Sequence, residues 1–171
     1  MYTKNVNVTP SFCVESLTDR NAGKNHIIWI DVDDPQDPED IIAQFLEASP
    51  TTAETGEVAE EWEIVDWQGY YGLRAYDLEE VVLIGQLIDE HGEAYAVHVQ
   101  VSGDAEEREF LNSYKGYFDS EEQFAMRLLD STGAIDEVPN WLLAHIDYES
   151  YAQDLFMSGD YSFIDGYVFS N

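Results

Sequence analysis

In this sequence 36 Asp and Glu stand against seven Lys and Arg, a formal charge of −29 on 171 residues. That imbalance limits the folds open to the chain before any motif is read. A net charge of about 2–8 in magnitude keeps a small domain dispersed, and a larger one adds self-repulsion that opposes compaction. The charge is not confined to a tail, because the carboxylates run among Trp, Tyr, Ile and Leu along the whole length. Between Lys24 and Arg74 there is no basic residue, while Asp31, Asp33, Asp34, Asp37, Glu39, Asp40, Glu47, Glu54, Glu57, Glu60, Glu61, Glu63 and Asp66 all fall there. After Arg127 there is none again, and Asp130, Asp136, Glu137, Asp147, Glu149, Asp154, Asp160 and Asp165 follow. Two such stretches predict a surface that local salt bridges do not neutralise.

Duplex DNA carries one charge per ~1.7 Å of axis, so a −29 chain matches roughly 50 Å, or about 15 base pairs, of duplex. Spread over an elongated molecule, this charge would reach the density of a phosphate backbone. The sign of the charge argues against nucleic acid and anionic lipid as direct partners, since both carry phosphate. Basic partners fit: a DNA-binding groove, a cationic peptide or metal ions. At 44% hydrophobic and 13% aromatic residues, the chain is too apolar to be an acidic disordered segment. Its single Cys, Cys13, permits no internal disulfide. With no signal peptide in sight, a cytoplasmic setting is expected. No apolar run approaches the roughly 18 residues of a membrane span.

The local pattern predicts an α+β chain. Residues 10–17 and His26–Val32 read as strands, with Thr18–Asn25 a polar loop between them. Asp37, Pro38 and Asp40 open a helix whose apolar stripe is Ile41, Ile42, Phe45 and Leu46. Residues 49–60 read as an acidic loop, and Glu61–Trp67 as a strand of mixed alternation. Asp77 and Glu80 have capping-box spacing before a helix from Leu78 to Glu90, which Gly92 ends. Ala94–Val101 is ambiguous between helix and strand. Asp104–Tyr114 reads as a helix anchored by Phe110 and Leu111. Ser120 and Gln123 cap a helix to about Leu129, broken by Thr132–Gly133. Pro139 opens a short helix through His145, Asp147 caps another through Phe156, and Tyr161–Phe169 reads as a terminal strand. The segments group as 1–73 (α+β), 74–112 (mainly helical) and 113–171 (α+β).

Catalytic and metal patterns do not assemble. Asp31, Asp33 and Asp34 start like a calcium loop, but Pro35, Gln36 and Ile42 stand where a ligand, the turn Gly and the bidentate Glu belong. His26, His91, His98 and His145 lack metal-pair spacing. There is no phosphate loop, nucleophile elbow or dinucleotide fingerprint. Cys13 sits in an apolar strand and reads as core. No cofactor and no catalytic residue is expected.

The C-terminal third carries the most specific pattern. Leu128-Leu129-Asp130-Ser131-Thr132-Gly133-Ala134-Ile135-Asp136-Glu137-Val138-Pro139 is followed by Ile146-Asp147-Tyr148, Tyr151-Ala152-Gln153-Asp154-Leu155, Gly159-Asp160-Tyr161 and Gly166-Tyr167-Val168-Phe169. This resembles the antirestriction motif region of the ArdA antirestriction proteins. The likeness continues more weakly upstream, through Glu63-Ile64-Val65-Asp66 and the helix after Asp77. Gln153 departs from it, standing where relatives often carry Arg. The resemblance implies an elongated, three-domain α+β protein that dimerises, mimics bent B-DNA and occupies the DNA groove of type I restriction–modification enzymes. It also implies carriage on mobile genetic elements. Motif positions carried over are Leu128, Gly133, Pro139, Ile146, Asp147, Tyr148, Asp154, Leu155, Gly159 and Asp160. The dimer contact is expected near Gly133–Asp147, with Trp141, Leu142 and Leu143 as candidates, though core packing is their favoured role. Two other readings stay open: an acidic mimic aimed at another DNA-binding protein, and a halophilic acidic enzyme.

Overall fold

The computed structural model describes residues 8–171. The chain forms two compact units, one ending at Ala96 and the other spanning Val97–Asn171. Each is built on its own three-stranded antiparallel sheet.

In the first unit, β1 (Ser11–Ser16) is the middle strand, flanked by β2 (Ile27–Asp31) and β3 (Trp62–Gln68). Consecutive Phe12, Cys13 and Val14 are 0%, 2% and 0% exposed, so both faces of β1 are covered. Burial, with the nearby Asp66 and Glu15 charges, pushes the Cys13 thiol up, in keeping with a core role. The mixed alternation of β3 has a physical origin. Cys13 lies opposite Asp66 and Val14 opposite Ile64, which leaves Val65 as the extra residue of a β-bulge. The bulge inverts the side-chain phase, so Ile64 and Trp67 pair with Val14 and Phe12 on one face despite being three residues apart.

Two segments that read as loops contain helices. α1 (Leu17–Asn21) starts where the Ser16 hydroxyl accepts the Asp19 N–H at 3.3 Å. α3 (Pro50–Thr55) starts where the Ser49 hydroxyl accepts the Thr52 N–H at 3.2 Å, with Pro50 at the first helical position. Both are single-turn helices held by a cap and by tertiary contacts, too short for periodicity to reveal. The expected helices α2 (Pro38–Glu47) and α4 (Leu78–His91) are present, capped by Asp37 and Asp77. α4 buries Val81, Ile84, Leu87 and Ile88 and ends at Gly92. Gly85 lies on the same face because the side chains of Val32 and Tyr70 occupy the space of a Cβ. The Tyr70 hydroxyl donates to the Val81 carbonyl at 2.7 Å.

The division between the units falls inside α5 (Glu93–Ser102), which resolves the ambiguity of 94–101 as helix. α6 (Glu107–Ser113) buries Phe110, but Leu111, expected as a second anchor, is 58% exposed. The helix stops short of Tyr114, and the sequence reading missed the strand β4 (Tyr114–Tyr117) that follows directly. α7 (Glu121–Ser131), α8 (Asn140–Leu143) and α9 (Tyr148–Met157) match the expected helices to within a turn. The expected terminal strand is two strands, β5 (Tyr161–Ile164) and β6 (Tyr167–Ser170), in the order β4-β6-β5. Asp165 and Gly166 join them with φ of 50° and 92°, the backbone that favours Asp-Gly in a two-residue hairpin loop. α7 packs on α9, and the Phe124 ring sits 5.1, 5.7 and 5.0 Å from those of Phe118, Phe156 and Tyr161.

Candidate functional site

The carboxylates of the first stretch hang from well-formed elements. Asp31 ends β2, and Asp33 and Asp34 occupy the next turn, where Asp34 accepts the Gln36 N–H at 2.8 Å. Asp37 caps α2 by accepting the Glu39 N–H at 2.9 Å; Glu39 and Asp40 follow in the first turn and Glu47 closes the helix. Carboxylates in a first helical turn are stabilised by the positive end of the helix dipole. Glu54 lies on α3; Glu57, Glu60 and Glu61 lead into β3, which carries Glu63 and Asp66. All are exposed except Glu63, which is half-buried.

In the second stretch Asp130 lies near the end of α7, Asp136 and Glu137 lie before α8, and Glu149 and Asp154 ride on α9. All are exposed. Asp147 caps α9. The Ser150 N–H at 3.0 Å and the Ser150 hydroxyl at 2.8 Å donate to it and hold its carboxyl below the usual range.

Lys4 is outside the described residues, and the other six basic side chains all have partners. Arg20 binds Glu63 and Glu15, and Lys24 reaches Glu54 at 2.6 Å and the Pro50 carbonyl at 3.1 Å. Arg74 lies 5.6 Å over the Trp67 ring, Arg108 sits 3.7 Å from Glu109, and Lys115 donates to the Asn112 carbonyl at 2.7 Å. Arg127 pairs with Asp130 at 3.5 Å. Three of these pairs reach into the stretches from outside: Arg20 to Glu63, Lys24 to Glu54 and Arg127 to Asp130. The other predicted carboxylates have no ion pair among the described residues.

Most of the motif residues sit at caps, at turns or half-buried on helices. Leu128 and Leu155 are half-buried on α7 and α9, and Ile146 and Tyr148 are half-buried around the α9 cap. Gly133 turns the chain after α7, where its N–H donates to the Asp130 carbonyl at 3.2 Å, and Pro139 is the N-cap of α8. Gly159 and Asp160 form the turn into β5; the Asp160 carboxylate accepts the Ser158 hydroxyl at 3.0 Å. Between Ala125 and Ala152 no residue is fully buried. Core packing is thus not the role of Trp141 and Leu142, which are 71% and 40% exposed; Leu143 is half-buried.

Two features escaped the sequence reading. Exposed carboxylates also occupy the middle of the chain, at Glu79, Glu80, Asp89, Glu90 and Glu122, outside the two stretches free of Lys and Arg. The other is Asp19, placed in a polar loop by the sequence but fully buried. Its Oδ1 accepts the Ser49 hydroxyl and the Thr51 N–H, each at 2.9 Å, tying α1 to α3. Burial pushes its carboxyl up, but hydrogen bonds from Thr51, Ser16 and Ser49 prevail and hold it well below the usual range.

The family model "Antirestriction protein (ArdA)" matches residues 12–169, nearly the whole chain. The chain belongs to the ArdA antirestriction family. No curated protein matches it. The ArdA match spans both carboxylate stretches and every motif position from Leu128 to Asp160. Membership carries an antirestriction function and implies a restriction enzyme as partner. ArdA proteins are not known as enzymes. No helix among the described residues is long and apolar enough to cross a membrane.

Proposed function

We propose that this antirestriction protein acts as a decoy, presenting carboxylates in place of the phosphates of bent B-DNA and filling the DNA-binding groove of a type I restriction–modification enzyme. The observation that carries this reading is that every described Lys and Arg has a partner while most carboxylates of 31–66 and 130–154 stay exposed and without an ion pair among the described residues. A groove lined with Lys and Arg meets a surface that offers it little competing positive charge. Counterion release then drives association, and affinity falls steeply with salt. Each exposed pair formed is worth about 0–1 kcal/mol, so the effect is distributed and no single Asp→Asn change abolishes inhibition.

The same reading includes a three-part chain, 1–73, 74–112 and 113–171, in an elongated arrangement. Residues 74–112 support it by carrying only α4, α5 and most of α6. It also includes a cytoplasmic homodimer joined near Gly133–Asp147. The exposed Trp141 and Leu142 support that contact, because a dimer of two −29 chains needs a locally apolar one.

Titration of the protein into a type I enzyme bound to labelled DNA, at two salt concentrations, tests the decoy. Displacement that weakens with salt is expected. Absence of displacement at low salt by folded protein overturns the type I assignment and directs the search to other basic DNA-binding proteins.

A further inference from the structure

The first unit contains a groove whose chemistry differs from a plain acidic surface. A hollow of about 530 Å³ opens between α2, β3 and the start of α4. Ile42 forms a buried floor, and half-buried Leu46, Trp62 and Leu78 form its walls. A second hollow of about 380 Å³ shares Glu39, Leu78 and Glu79 and continues along α4 past Val82 and Leu83. The result is a trough with an apolar floor and walls between polar edges that include Tyr76, Asp77 and Gln86. Glu39 and Glu79 stand on its rim, exposed and without an ion pair among the described residues. The caps of both flanking helices are already satisfied by Asp37 and Asp77, so these two rim carboxylates are left for a ligand.

We infer that this groove docks an amphipathic basic helix of a partner protein, its apolar side chains in the trough and its Lys or Arg on Glu39 and Glu79. Two physical points select this occupant. Apolar side chains spaced along one helical face suit a trough walled by two helices and a strand. The acidic rim repels a ligand of its own sign and attracts a cationic one. A second copy of this chain brings −29 to the same rim and is electrostatically the wrong occupant. The inference does not rest on the decoy reading. DNA mimicry needs only exposed carboxylates, whereas this site needs apolar contact and gives binding that survives salt.

The probe is a Leu/Lys helical peptide of about four turns, set against a Ser/Lys peptide of the same length and charge. Both are titrated into the whole protein at about 0.3 M salt, where exposed ion pairs are largely screened. The readouts are Trp fluorescence and backbone amide shifts. Ala43, an exposed groove residue on α2, is replaced in Ala43→Arg to block the trough. Ala53→Arg on α3 applies the same charge change elsewhere. Expected are binding of the Leu/Lys peptide alone, amide shifts centred on α2 and the start of α4, a loss of about tenfold in Ala43→Arg and less than about twofold in Ala53→Arg. Equal binding of both peptides, equal loss in both variants, or shifts centred elsewhere overturns the proposal. So does a dimer of the free protein that Ala43→Arg dissociates, which would make the occupant a second copy.

Discussion

The two carboxylate stretches rest on different foundations. In 31–66 the charges hang from a three-stranded sheet whose middle strand is covered on both faces, with α1 and α3 tied together by buried Asp19. In 130–154 they hang from short helices and turns with no fully buried residue between Ala125 and Ala152. The second stretch is held by its ends, through the ring cluster around Phe124 and the packing of α7 on α9. A run of exposed carboxylates thus needs no one kind of scaffold. It needs only that enough apolar surface be buried somewhere in the same unit to offset the repulsion.

The largest test of this contrast is Phe124→Ala. It removes the ring that meets Phe118, Phe156 and Tyr161 and should cost about 3–5 kcal/mol, read by chemical denaturation. Amide exchange should quicken in α7, α9 and β5 while the first sheet keeps its protection. Equal loss of protection in both units would break the comparison.

Asp19→Asn comes next. It places an amide where the Ser49 hydroxyl and Thr51 N–H donate to a carboxylate, and should cost about 1–3 kcal/mol, with exchange quickening in α1 and α3. The native carboxyl is held below its ordinary value, so its stabilising contribution is complete above about pH 5. It is lost progressively as pH falls from the unfolded value of about 3.9 toward the lower native one. The stability gap between Asp19 and the Asn variant should therefore narrow in acid.

His98 gives the second unit a different pH response. The ring is buried against Phe110 and Phe169, its Nδ1 lies 3.3 Å from the Ser113 hydroxyl, and its Nε2 is unpartnered. Burial lowers its pKa, against the opposing pull of the Asp104 and Glu109 charges. The unfolded chain therefore takes up the proton first, and the stability of this unit should fall once pH drops below about 6.5. In His98→Gln that slope should be absent between about pH 5 and 7; an unchanged slope would assign it elsewhere.

Trp141→Ser should have the smallest effect on folding, within about 0.5 kcal/mol, because the side chain is already in water. It should lower the dimer fraction in sedimentation if the apolar patch joins two copies. A dimer unchanged by this and by Leu142→Ser would move the contact elsewhere.

The sequence revealed those features whose cause is local. The caps at Asp37, Asp77, Ser120 and Asp147 each need one side chain and the next turn, and all four accept the expected backbone N–H or its neighbour. Features set by distant partners stayed hidden. The bulge at Val65 exists only against β1, Asp19 is buried only because α3 arrives beside it, and Leu111 loses its core role because α6 turns Phe110 inward. The Asp165–Gly166 turn pair is legible in the sequence, but the aromatic run on both sides of it reads as one continuous strand. At the candidate site the charge stretches were legible from composition. Their partial neutralisation was not, because Arg20 meets Glu63 across 43 positions of chain.

The strand orders have a consequence in time. In β2-β1-β3 the middle strand is the first one made, whereas in β4-β6-β5 it is the last. On a ribosome the first sheet adds partners outward from a strand already present. The second has two outer strands waiting, with open edges, until residues 167–170 emerge. A chain stalled after residue 117 but before that point presents a complete first sheet and an unclosed second one. Quality control during synthesis would meet the second sheet rather than the first.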